Sequence, residues 1–247
     1  MRNYPETLMD PCKCAVLIVD HQPQMYFGIQ GDERGSILNN TIALAKAAQA
    51  FEVPCILTTV TAASFSGQLA EQIQNIYPTV VPIDRSYINC WEDANLKKAV
   101  EATGKKQVII AGLWTEACVT FPALTMKQDG YKVYVAADAC GGASSAAHCY
   151  AMQRMTQAGV IPVTWQQVML EWQRDWNNKD TYNDVMCIVK QHSGAYGLGV
   201  EYSEQVHAAA MPKTPQQQQE LMKQQQKQAA QASREQITNM QQMKQSA

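Results

Sequence analysis

The sequence lacks any apolar run approaching the roughly 20 residues that a membrane span needs, so no membrane partner is expected. Its opening stretch, MRNYPETLMDPCKC, has no apolar core of the signal-peptide kind, and a cytoplasmic location is expected. Basic blocks are missing from the main body, and the formal net charge is −2. Nothing there indicates a nucleic-acid partner. The eight cysteines include no C-x-x-C pair and are scattered along the chain. That spacing excludes a disulfide scaffold and a zinc ribbon and fits reduced thiols. Cys12-x-Cys14 is the only close pair and has no second pair to match it.

What is present is enough apolar material for one core. With 247 residues, 46% hydrophobic, the chain reads as one domain over 1–210 and an appendage. From residue 211 to 247 the composition turns Gln-rich with few large apolar side chains, which predicts a disordered tail. Leu221, Met222, Ile237, Met240 and Met243 leave a marginal helix open as the alternative for that tail.

Short runs rich in β-branched residues predict buried strands at 15–19, 54–60, 79–83, 107–112, 132–137 and 161–165. Pro82 makes the third an edge or terminal strand. Helical spacing predicts helices over 37–51 (with Ser36 as N-cap), 68–77, 93–103 (capped by Asp93), 116–129, 146–158, 166–176 and 181–191. Strands alternating with helices give an α/β fold, a three-layer α/β/α domain around a central parallel sheet. Right-handed crossovers then bring every strand's carboxyl end to one rim.

That rim gathers chemistry. Cys118 falls in the first turn of the helix after the fourth strand, where unpaired N–H groups favour a thiolate. A free cysteine is usually an inert core residue, so position alone does not settle its role. Asp20 follows the first strand and Arg85 the third, so three separate segments deliver a carboxylate, a fixed cation and a thiol to one edge. His148 reads as a surface or interface residue, since nothing in the sequence pairs with it.

VLIVDHQ, the segment from Tyr87 to Trp91, ATGKKQVIIAGLWTEACV and RDW together resemble the isochorismatase-like cysteine hydrolase superfamily, and within it the YcaC-like group. The resemblance runs from Cys14 to Arg174. It implies a three-layer α/β fold with Rossmann-like topology, homo-oligomerisation (an octamer being a form the family leads one to expect) and a triad of Asp20, Arg85 and Cys118. Arg85 stands where most of the superfamily has lysine; an arginine clamps a carboxylate but relays no proton. The resemblance also implies a cis peptide at Trp114–Thr115 and an oxyanion hole of backbone N–H groups around Trp114, Thr115, Ala117 and Cys118. Gln22, Phe27, Asn89, Trp91 and Trp114 are candidates for binding substrate.

The family's nicotinamidases hold a metal through an Asp-x-His pattern and a further His. This chain has four histidines, His21, His148, His192 and His207, and none completes such a pattern. No metal and no cofactor are expected. The leading expectation is a metal-free cysteine hydrolase that cleaves a C–N bond of a small amide-type substrate through a thioester on Cys118. The alternative is a catalytically silent, oligomeric small-molecule-binding protein of the same fold. A thiol redox protein is a third reading, but it would want a resolving cysteine that no spacing supplies.

Overall fold

The computed structural model describes residues 6–31 and 33–210, with Lys223 and Lys227 beyond them. β1 (Cys14–Val19) is buried at every residue, as a strand with apolar side chains on both faces must be. It therefore takes a central place, paired in parallel with β2 (Cys55–Val60) on one side and β4 (Gln107–Gly112) on the other. β3 (Ile83–Arg85) lies outside β2, while β5 (Lys132–Ala136) and β6 (Ile161–Val163) continue beyond β4. The six strands are all parallel, in the order β3-β2-β1-β4-β5-β6.

The strand order reverses between β1 and β4, the point where open α/β sheets bind ligands outside the carboxyl ends. The helices are α1 (Pro23–Phe27), α2 (Arg34–Ala50), α3 (Glu71–Gln74), α4 (Ala94–Ala102), α5 (Thr120–Gln128), α6 (Ser145–Gln157), α7 (Trp165–Gln173), α8 (Lys179–His192) and α9 (Ala195–Ala210). Leu96 and Val100 of α4, Ala123 and Met126 of α5 and Met155 of α6 pack with Ala15, Leu17, Val108 and Ile110 of the sheet. α2 packs against β1, α7 and α8. The result is an α/β fold with helices around a parallel sheet, as the alternating pattern predicts.

Several boundaries differ from the sequence expectation. Pro82 has no N–H to donate, so β3 begins at Ile83 and carries Asp84 and Arg85 within the ladder instead of after it. α2 begins at Arg34, whose guanidinium bonds the carbonyls of Tyr26 and Ile29 (2.8 and 2.6 Å). Ser36 is accordingly inside the first turn, donating to Glu33 at 2.8 Å, and does not cap the helix. β6 stops at Val163 because Thr164 caps α7, its hydroxyl accepting from the Gln167 N–H at 3.2 Å. Asp93 caps α4 as expected, accepting from the N–H groups of Asn95 and Leu96.

The chain divides after Leu198 into two compact units. α9 was not anticipated from the sequence, and the Gln-rich stretch 211–247 lies outside the described residues apart from Lys223 and Lys227.

Gly112 ends β4 where there is no room for a side chain. A Cβ there would lie 2.8 Å from Val19 Cβ and 3.0 Å from both Val119 Cγ2 and the Val19 carbonyl oxygen. Gly112→Ala is expected to destabilise the protein by about 1–3 kcal/mol through overpacking, read as a lower urea midpoint with an unchanged slope.

Candidate active site

β1 hands the chain to Asp20 in an unusual way. The Asp20 N–H still donates to the Thr58 carbonyl at 3.0 Å, but its φ is +55°, in the left-handed region that aspartate tolerates better than most residues. The carboxylate is buried, and both of its oxygens accept from Arg85 Nη2, at 2.8 and 2.7 Å. Arg85 Nη1 donates to the Tyr87 carbonyl, which fixes the guanidinium plane, while Nε is buried without a partner. Both side chains of the ion pair are fully shielded from solvent.

Cys118 sits on a single turn of π-helix, Thr115–Val119, that opens into α5. Its thiol is nearly buried, and Asp20, Arg85 and the Trp114 backbone all lie close enough to act on its ionisation. The structure therefore brings Asp20, Arg85 and Cys118 together. A cis peptide lies between Leu113 and Trp114, one bond before the Trp114–Thr115 position expected. The Thr115 N–H is engaged by the Gly141 carbonyl at 3.0 Å, and the Ala117 N–H by the Trp114 carbonyl at 3.1 Å.

Electrostatics place the protons. Burial pushes Asp20 up to about 6, with Arg85 and then the Cys118 thiol pulling the other way. Burial, then the Asp20 charge, push the Cys118 thiol up to about 12; Arg85 and the Trp114 backbone oppose this without overcoming it. Arg85 lowers the thiol's pKa, but by less than burial and the Asp20 charge raise it. Its own pKa is raised, burial working against its charge and Asp20 more than offsetting that. At neutral pH the site holds a carboxylate beside a neutral thiol.

The remaining candidates are placed as follows. Gln22 is fully buried, and its amide brackets Val60, accepting from its N–H at 2.9 Å and donating to its carbonyl at 3.2 Å. A further bond goes to the Gly67 carbonyl, so Gln22 splices the loops after β1 and β2. Asn89 accepts from the Trp91 N–H at 3.1 Å and donates to Glu92 and Thr125. Trp91 donates its indole N–H to Asp129 at 2.9 Å and packs edge-on against Tyr131. Trp114 is half-buried, its indole N–H given to the Met25 carbonyl at 2.7 Å. The ring lies over Gly28, where a Cβ would come within 2.2 Å of Cζ2. Phe27 is exposed. With Phe65, Tyr87, Ile88 and Phe121 it forms a set of exposed apolar side chains on segments leaving β1, β2, β3 and β4.

Sequence reasoning missed His21 and left His148 unpaired. His21 is fully buried next to Asp20, its Nδ1 2.7 Å from Tyr26 Oη and its Nε2 3.4 Å from Thr41 Oγ1. Thr41 gives its one proton to the Ile37 carbonyl at 2.9 Å, so it accepts from His21 Nε2–H, and Nδ1 accepts from Tyr26. Among the described residues, no group of three His, Cys, Asp or Glu could hold a metal ion, and no helix is long and apolar enough to cross a membrane.

Burial lowers His21 to about 3, so the folded protein keeps it neutral. Because the folded value is depressed, its contribution to stability is present above the unfolded value of about 6.5 and is lost as pH falls toward 3. Asp20 runs the opposite way: its folded value is raised, so its contribution is full below about 3.9 and declines as pH rises through about 6. A comparison with His21→Asn, whose Oδ1 can still accept from Tyr26, isolates the histidine. Between pH 6 and 4, urea titrations should show the wild type losing about 1.4 kcal/mol per pH unit more than the variant. Parallel curves would rule out His21 as the source.

The site can be compared with known proteins. The isochorismatase domain model matches residues 14–167. The probable hydrolase YcaC of Escherichia coli is 39% identical over 175 residues, spanning 70% of this chain and 84% of that one. The crystal structure of the Escherichia coli YcaC gene product, described as an octameric hydrolase of unknown specificity, superposes with a TM-score of 0.76 at 36% identity, covering 82% of this chain and 99% of that one. YcaC from Pseudomonas aeruginosa, solved with hexane-2,5-diol and covalent acrylamide, superposes with a TM-score of 0.77 at 34% identity, covering 82% and 100%. On its sequence and its fold alike, the chain belongs to the isochorismatase family of hydrolases.

Proposed function

We propose that the protein is a cysteine hydrolase that cleaves a C–N bond of a small amide-type substrate, with Cys118 as nucleophile, Asp20 as base and acid, and Arg85 as the clamp on Asp20. The observation that carries this is the buried Asp20 carboxylate, bonded through both oxygens to the Arg85 guanidinium and close enough to the Cys118 thiol for each to shift the other's ionisation. A thiol held neutral by its surroundings needs a base at the moment of attack, and Asp20 is ionised above about pH 6.

The steps balance as follows. Cys118 Sγ attacks the carbonyl carbon while its proton passes to Asp20. The Trp114 and Cys118 N–H groups stabilise the oxyanion. Asp20 returns the proton to the leaving nitrogen as the C–N bond breaks, leaving a thioester on Cys118. Water then gives a proton to Asp20 and attacks the thioester; the acid leaves and Cys118 is reprotonated. Arg85 stays charged throughout and moves no proton.

The eight free thiols suit a reducing, cytoplasmic setting. The exposed apolar side chains Phe27, Phe65, Tyr87, Ile88 and Phe121 favour a homo-oligomer, in keeping with the octameric relative. The same side chains suit a substrate with an apolar portion.

Acrylamide, found covalently bound in the Pseudomonas YcaC structure, is a fitting probe. Its rate of addition to Cys118, followed by mass spectrometry with the exposed Cys149 as internal reference, should rise through an ionisation near pH 6 and then level off. Asp20→Asn should abolish that step and slow addition by about 10²-fold or more. A Cys118 profile unmoved by Asp20→Asn would defeat the proposal. It would instead favour the reading as a silent small-molecule-binding protein, for which the thiol's strong preference for its proton is the supporting observation.

A further inference from the structure

The turn that carries Cys118 is held from outside by the segment after β5. Gly141 forms an isolated parallel bridge with Leu113, and its carbonyl accepts from the Thr115 N–H at 3.0 Å. Glu116 Oε1 accepts from the Ala143 N–H at 2.9 Å. Gly142, between them, has no space for a side chain: a Cβ would lie 2.8 Å from Glu116 Oε2 and 2.9 Å from the His148 nitrogen. The last link comes from α6, where His148 Nδ1 stands 2.8 Å from Thr115 Oγ1.

Thr115 is thereby bonded through every polar atom it has. Its N–H goes to Gly141, its hydroxyl to His148, and its carbonyl accepts from Thr120 Oγ1 at 2.6 Å. Thr115 follows Trp114, whose carbonyl accepts from the N–H groups of Ala117 and Val119, on either side of Cys118. Any rotation of Thr115 would turn the Trp114 carbonyl away from those N–H groups and displace Cys118 between them. The Thr115 N–H and carbonyl bonds are made to backbone or to the same helix. The hydroxyl bond alone depends on a side chain from another helix.

We propose that His148 is a positioning residue for the nucleophile: through the Thr115 hydroxyl it holds the Leu113–Cys118 turn in the orientation that aims the Cys118 thiol, with the Glu116 bond to Ala143 holding the same turn. This rests on reading Cys118 as the nucleophile. His148 touches neither Asp20 nor Cys118 among the described contacts, so it acts through Thr115.

The experiment uses the full chain and acrylamide addition to Cys118 across pH 5–9, with melting temperatures recorded in parallel. His148→Ala removes the bond. His148→Asn keeps an amide atom where Nδ1 lies and can remake it. The expected result is that His148→Ala lowers the plateau rate about three- to tenfold, the worth of one lost hydrogen bond. His148→Asn should return to within about twofold of wild type. The midpoint near pH 6 should stay in place in both, since Asp20 remains the base. A plateau unchanged in His148→Ala, or equally low in both variants, would overturn the proposal, the second because it would trace the loss to the missing ring and not to the bond. Asp20→Asn, run alongside, reports on the nucleophile reading separately: it fails if that variant matches wild type, whatever the His148 variants do.

Discussion

The ion pair between Asp20 and Arg85 is the constraint around which the site is organised. Neither side chain reaches solvent, so each charge depends on the other for compensation. Removing one partner of such a pair typically costs about 3–5 kcal/mol, because a charge is then left buried alone. The two residues are 65 positions apart and leave different strands. They can meet only if β1 and β3 run in the same direction with β2 between them, each ending at the same level. The left-handed turns at Asp20 and Thr61, φ +55° and +46°, bend the chain away directly after β1 and β2, and Thr61 donates to the Arg85 carbonyl at 2.9 Å. Sheet order, strand ends and local backbone all serve that one contact.

The pair also acts on the state of the thiol. An isolated arginine near Cys118 would draw the proton off sulfur. In the folded protein the guanidinium is committed to a carboxylate, so the field at the sulfur is set by burial and by the Asp20 charge ahead of Arg85. On the proposed reading, the site moves a proton during reaction and does not store a thiolate beforehand. Such an arrangement protects a buried cysteine from casual oxidation, since the thiolate is the reactive form.

The parallel sheet was legible because its strands are apolar on both faces, and AVLIV and QVIIAG admit few other readings. The convergence of Asp20, Arg85 and Cys118 followed from direction alone, since right-handed crossovers send all carboxyl ends to one rim. What stayed illegible depends on side chains finding backbone. Gln22 has the residue type of a pocket lining, yet its amide is consumed by Val60 and Gly67, and nothing in DHQ signals those partners. Asn89 is likewise turned to its own local cap. His148 escaped notice for the converse reason. Its partner Thr115 lies 33 residues away and is reached only once α6 has docked. The shifted start of β3 was readable in principle, since a proline cannot donate to a ladder, but the apolar run before it was the stronger pattern.

β3 is three residues long and lies at the edge of the sheet, paired on one side only. Short edge strands open more readily than central ones, in local excursions that leave the rest of the molecule intact. The guanidinium of the site therefore hangs from a short edge strand. When that edge frays, Asp20 loses its counter-charge while β1, β4 and the cysteine turn stand unmoved. On warming, such a protein would go quiet before it melts: its chemistry would fade over temperatures at which circular dichroism still reports a complete fold.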